Sequence, residues 1–102
     1  MLHPDDFPHL AAFVPGYLHQ DLEVFGGIDG AVCAWRDDTS PEVTRLLTGE
    51  WMLFLEMTRD LDAGARGRLL EESFGGAWAP RSDEELHALT RALMPDARWS
   101  PP

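Results

Sequence analysis

Residues 40–59, SPEVTRLLTGEWMLFLEMTR, are the stretch that settles the class of fold. The Ser40 hydroxyl suits an N-cap, where it accepts from an otherwise unpaired helix amide. Pro41 carries the φ a first helical residue needs, and Glu42 sits where the helix dipole favours negative charge. Beyond this start Val43, Leu46, Leu47, Trp51, Phe54, Leu55 and Thr58 recur at three- and four-residue spacing, which lines them along one side of a helix. Gly49 weakens that helix by roughly 1 kcal/mol relative to Ala without breaking it. The stretch therefore predicts a long central helix over 41–59. Glu50 is its anomaly: it falls near the apolar stripe, where a carboxylate needs a partner to offset desolvation. His19 or an arginine is the expected partner, and a Glu–His contact would tie the loop around His19 to this helix.

The rest of the chain reads as shorter helices on either side. Upstream, Gly26-Gly27 marks a turn, and Ile28, Ala31, Val32 and Trp35 restore helical spacing, predicting a helix over 28–36. Before that turn, Pro8 suits a first helical position, and Leu10, Phe13, Val14 and Tyr17 share a face. Pro15 lacks a backbone donor and Gly16 follows it, so this helix is expected to end or bend there, leaving 17–23 irregular. Downstream, Asp62 is a candidate cap for a helix reaching about residue 73, with Ala65, Leu69, Leu70 and Phe74 inward and Gly75-Gly76 as its stop. A connector with Trp78 and Pro80 leads to Ser82-Asp83-Glu84-Glu85, a capping box, and then to a last helix with Leu86, Leu89 and Leu93 inward and Pro95 at its end. Strand-like alternation is almost absent. The predicted class is all-α: a compact bundle of about five short helices around 41–59, in one domain over 1–102 with its core in about 7–95.

Charge narrows the choice of partner. Eighteen acids face eight bases, a formal net charge of −10; every base is Arg, and the first is Arg36. A field of this sign repels phosphate backbones and anionic membrane surfaces, which argues against nucleic acid and membrane as ligands. It draws cationic proteins inward. One cysteine, Cys33, gives no internal disulfide, and no apolar run reaches the roughly 18 residues a membrane span needs. The N-terminal residues lack the basic start and apolar run of a signal peptide, so the expected location is the cytoplasm.

The residues that could carry chemistry are few. His19 with Asp21 could form a base and its orienting carboxylate, or with Glu50 a metal site. No HExxH pattern or second histidine at ligand spacing accompanies them, and Asp two residues after His is common in turns. A small metal-dependent enzyme using His19, Asp21 and Glu50 is the weaker reading; no catalytic residue, metal or cofactor is expected. Cys33, beside the inward face of its helix, reads as inert core packing. The acidic groups are the better functional feature. Asp21 and Glu23 follow the first helix, and Asp37-Asp38 is expected in the turn before 41–59. Glu71-Glu72 comes late in a helix, where negative charge is locally unfavourable. These six are the candidate partner-binding residues. Asp83-Glu84-Glu85 has a sufficient local cause in helix capping.

Phe7-Pro8-His9-Leu10, then Phe13, then Gly16-Tyr17-Leu18-His19-Gln20-Asp21 resembles the opening motif of contact-dependent growth inhibition immunity proteins. That family shows F-P-x-L-x-x-F followed by a Y-F-H-Q-D-like string. The order of later features is similar: a Gly-rich turn at 26–27, a helix with Ala31, Ser-Pro-Glu at 40–42, a Leu-rich helix with Glu50, and Gly–aromatic–Pro from Gly76 to Pro80. Val14-Pro15 departs from the family's apolar–Gly pair, and Leu22 replaces an aromatic. The resemblance covers roughly 7–95 and implies a non-enzymatic protein that binds and neutralises the C-terminal domain of a cognate toxin, often a nuclease with a basic surface. Phe7, Pro8, Tyr17, His19, Gln20, Asp21 and Glu50 are the structural family motif; of these, Tyr17, His19, Gln20 and Asp21 are expected to organise the fold and not to contact the toxin, so that Asp21 carries this reading beside its reading as a partner-binding charge. The alternative is an acidic helical adaptor with no toxin partner.

Overall fold

The computed structural model describes residues 3–18, 26–76 and 78–93. A 3-10 turn, η1 (Pro4–Asp6), leads into five α-helices: α1 (Pro8–Tyr17), α2 (Gly27–Asp38), α3 (Pro41–Met57), α4 (Ala63–Phe74) and α5 (Asp83–Leu93). No strand occurs among the described residues. His19, Gln20, Asp21 and Glu23 lie outside them.

The start and stop signals act as their chemistry requires. The Ser40 hydroxyl accepts from the Val43 amide at 3.2 Å, and an Asp62 oxygen accepts from the Ala65 amide at 2.8 Å. Gly75, at φ 71°, ends α4 in the left-handed conformation that a residue with a Cβ resists. At the start of α5 the Ser82 hydroxyl accepts from the Glu85 amide at 3.1 Å, while the Glu85 carboxylate accepts from the Arg81 amide at 3.1 Å. The reciprocal half of the capping box thus falls one residue before the cap.

The core is built from one side of every helix. Leu10, Phe13 and Val14 of α1 meet Ala31, Val32 and Trp35 of α2, Leu47, Trp51 and Phe54 of α3, Leu70 and Phe74 of α4, and Leu86, Leu89 and Leu93 of α5. Phe7 and Leu18, flanking α1, are also buried. Although α3 is the longest helix at 17 residues, α1 is the one packed against η1, α2, α3 and α4. The stripe expected to face inward on α3 is also narrower: Leu47, Trp51, Phe54 and Thr58 are buried, whereas Leu46 is 48% exposed.

Pro15 does not end α1. The helix continues to Tyr17, and the Leu18 amide still donates to the Val14 carbonyl at 3.1 Å. Pro15 itself is exposed. The Tyr17 ring stacks on Phe13 at 5.8 Å and meets Trp35 edge-on at 5.4 Å, while Leu18 is fully buried. Tertiary packing on both sides of the proline holds a turn that local propensity alone would lose. Asp37 and Asp38 likewise belong to the last turn of α2, beyond the expected end at 36.

One glycine fixes how closely two segments approach. A Cβ at Gly67 of α4 would lie 2.2 Å from the Pro80 carbonyl oxygen and 2.7 Å from Arg81 Cδ, so the connector before α5 rests on the bare helix backbone. Helix propensity alone favours Gly→Ala by about 1 kcal/mol. Gly67→Ala is nevertheless expected to destabilise by about 1–3 kcal/mol, because backbone must move to make room. A lowered urea midpoint checks this; an unchanged or raised one would show that the connector yields freely.

Candidate partner-binding surface

Glu50 is held by the start of α1. The cap position there is Phe7, which has no polar side chain, and Pro8 follows at the first helical position. The next two amides, of His9 and Leu10, have no acceptor within their own helix. Glu50 Oε1 accepts from both, at 2.9 Å each, across some forty residues of sequence. Glu50 Oε2 meets His9 Nδ1, and both side chains are largely covered, 28% exposed for His9 and 14% for Glu50. The expected partner of Glu50 was His19 or an arginine; the structure supplies His9 and two backbone amides instead. The carboxylate also lies at the positive end of the α1 dipole, a second reason for its placement. Glu50 thus caps a helix from outside it. Phe7 is the buried residue at the cap position and Pro8 the first residue of α1.

The acidic candidates divide. The Tyr17 hydroxyl donates to Asp38 at 2.7 Å, and Asp38 raises the Tyr17 pKa above its ordinary 10.0 first by this bond, with burial and its charge adding in the same direction. Because a raised phenol pKa favours the folded state only while the phenol is protonated, this contact contributes fully below pH 10 and is lost as pH rises past the folded-state value. Glu71 accepts from Arg81 Nη2 at 2.6 Å, which raises the Arg81 pKa first through that hydrogen bond. Glu71 thus has a local cause that its place late in α4 did not suggest. Asp37 and Glu72 are exposed and form no ion pair among the described residues. Asp21 and Glu23 lie outside the described residues, so nothing places them beside the others.

Cys33 is exposed, which corrects its reading as core packing. It lines an open cleft of about 410 Å³ between α2 and α5, with Asp29, Arg36 and Arg91 around it and Val32 beneath. Arg36 is already engaged there, donating from Nη2 to the Ala92 carbonyl at 2.7 Å. Among the described residues no three His, Cys, Asp or Glu side chains gather closely enough to hold a metal ion, and no helix is long and apolar enough to cross a membrane.

What these elements define is an all-helical domain in which Ser40, Asp62, Ser82 and Glu50 brace helix starts and Asp37 and Glu72 are exposed. The chain belongs to the CdiI immunity protein family, whose model matches residues 6–92. Immunity proteins of this family bind cognate toxins, so the partner is a protein. No curated protein and no solved structure gives a match.

Proposed function

We propose that this chain protects the cell that makes it by binding, in the cytoplasm, the C-terminal domain of a cognate toxin delivered by contact-dependent inhibition or a related secretion system. We propose further that this domain is a nuclease with a cationic surface, and that carboxylates of the immunity protein cover the groove through which it holds phosphates. The observation that carries this reading is the net charge of −10 on a domain of the family's fold. Asp37 and Glu72, exposed and without an ion pair among the described residues, support it, because steering charges must keep their field directed at the partner.

The test is titration of the purified protein with the toxin domain encoded by the neighbouring gene, across a range of salt. A complex is expected whose Kd rises roughly tenfold or more between low and high ionic strength, since exposed charges are screened within a Debye length of about 10 Å at 0.1 M. The isosteric pair Asp37→Asn/Glu72→Gln should slow association several-fold and leave dissociation nearly unchanged, the usual effect of removing rim charges. No complex at micromolar concentration would remove the toxin reading, and a Kd indifferent to salt would remove the electrostatic mechanism.

A further inference from the structure

The large hydrophobic side chains exposed among the described residues are Leu46 at 48%, Leu53 at 49%, Met57 at 55% and Leu61 at 42%. All four belong to α3 or to the turn that follows it. Leu46, Leu53 and Met57 are spaced by seven and four residues, so they fall on one line along the helix, spanning roughly 16 Å at 1.5 Å per residue. Leu61 follows in a tight turn in which its amide donates to the Thr58 carbonyl at 2.9 Å.

This line is not the edge of the core. The helix packs against α1, α2 and α5, and its buried residues Leu47, Trp51, Phe54 and Thr58 lie on a different side. Single exposed leucines are ordinary on protein surfaces; three large apolar side chains in line on one helix, with a fourth in the turn after it, form an apolar patch of the kind that marks contact surfaces. Glu42, Glu56 and Asp60 are exposed on the same segment, together with Arg45 and Arg59, and Arg59 Nη1 pairs with Glu56 at 3.1 Å. An apolar strip with charged residues beside it is the composition of a protein–protein interface, dry at its centre and polar at its rim.

From this placement we infer that the outward face of α3 is the anchoring part of the toxin interface, seating Leu46, Leu53 and Met57 against an apolar patch on the cationic toxin domain. This rests on the toxin-binding reading and adds to it the residues that hold the complex once charge has brought the partners together. Charge also decides between occupants. A second copy of this chain carries the same net charge of −10 and is repelled as a whole, whereas a cationic partner gains from that field.

The test uses the full chain and the same toxin domain. Leu46→Gln/Leu53→Gln/Met57→Gln keeps good helix formers at exposed positions, so its circular dichroism should match that of the parent protein. Its affinity is expected to fall about 100-fold, nearly all of it as faster dissociation, with the salt dependence retained. A second measurement avoids the variant altogether: amide exchange across 46–61 of the parent protein should slow on complex formation. Binding by the parent protein together with a triple variant within about threefold of it, or with no protection across 46–61, overturns this inference alone. Failure of the parent protein to bind overturns the toxin reading and this inference with it. A parent protein that runs as a dimer, made monomeric by the triple substitution, would assign the face to self-association and overturn it as well.

Discussion

Trp51→Ala is expected to be the most destabilising single substitution in the chain, lowering stability by about 3–5 kcal/mol. Trp51 is fully buried on α3 and stacks on Phe54 at 5.4 Å. Its Nε1 donates to Thr90 Oγ1 at 2.9 Å, and that hydroxyl in turn donates to the Leu86 carbonyl at 2.9 Å. The indole therefore couples α3 to α5 through both a large packed surface and a buried polar chain. Truncation leaves a cavity that the surrounding helices cannot fully close, and removes the indole donor to Thr90. Domains of this size have about 5–15 kcal/mol in total, so the variant should melt some 15–30 °C lower. Trp51→Phe separates the two contributions: it keeps an aromatic ring against Phe54 and loses the bond to Thr90, and should cost clearly less than Ala. Thermal unfolding followed by circular dichroism reads both. Equal losses for Phe and Ala would mean that the hydrogen bond, not the packed ring, dominates this position.

The helices themselves were legible because their signals are local. Ser40, Asp62, Ser82 and Gly75 each act within one turn of where they stand, and the inward residues of α5 follow from spacing alone. What escaped is whatever depends on a distant neighbour. Pro15 reads as a helix end, yet Phe13, Trp35 and buried Leu18 hold the helix through Tyr17. Leu46 belongs to a continuous apolar stripe by spacing, but the helices beside α3 cover only part of that stripe. The inward placement expected of Cys33 failed for the same reason: it is adjacent to Val32 in sequence, and a shift of one residue turns a helical side chain by about 100°. The acidic candidates were legible as charges and not as contacts. Nothing near Glu71 in sequence announces Arg81, and nothing near Asp38 announces Tyr17. The contact between Glu50 and the amides of His9 and Leu10 escaped as well, because nothing near Glu50 in sequence announces the start of α1 some forty residues away.

Glu50→Ala is expected to destabilise by about 2–3 kcal/mol, far more than loss of a half-exposed carboxylate on a helix surface would. The reason lies in what remains after the change. Two amides at the start of α1, of His9 and Leu10, lose their acceptor; the Phe7 side chain cannot replace it, and His9 loses the carboxylate its ring faces. The helix so loosened is the one that touches η1, α2, α3 and α4, so its fraying should spread to the whole core. Glu50→Gln distinguishes capping from charge. Its amide oxygen can still accept from both backbone groups, so if capping dominates, Gln should recover half or more of the loss. If the negative charge beside the helix dipole and His9 dominates, Gln should behave like Ala. Amide exchange at residues 9–11, which should accelerate in the Ala variant and less so in Gln, locates the effect at this helix end. A Glu50→Ala protein that melts with the parent would mean that water caps α1 as well as the carboxylate does. In that case the family motif at 7–10 would need a different explanation from the one its geometry offers.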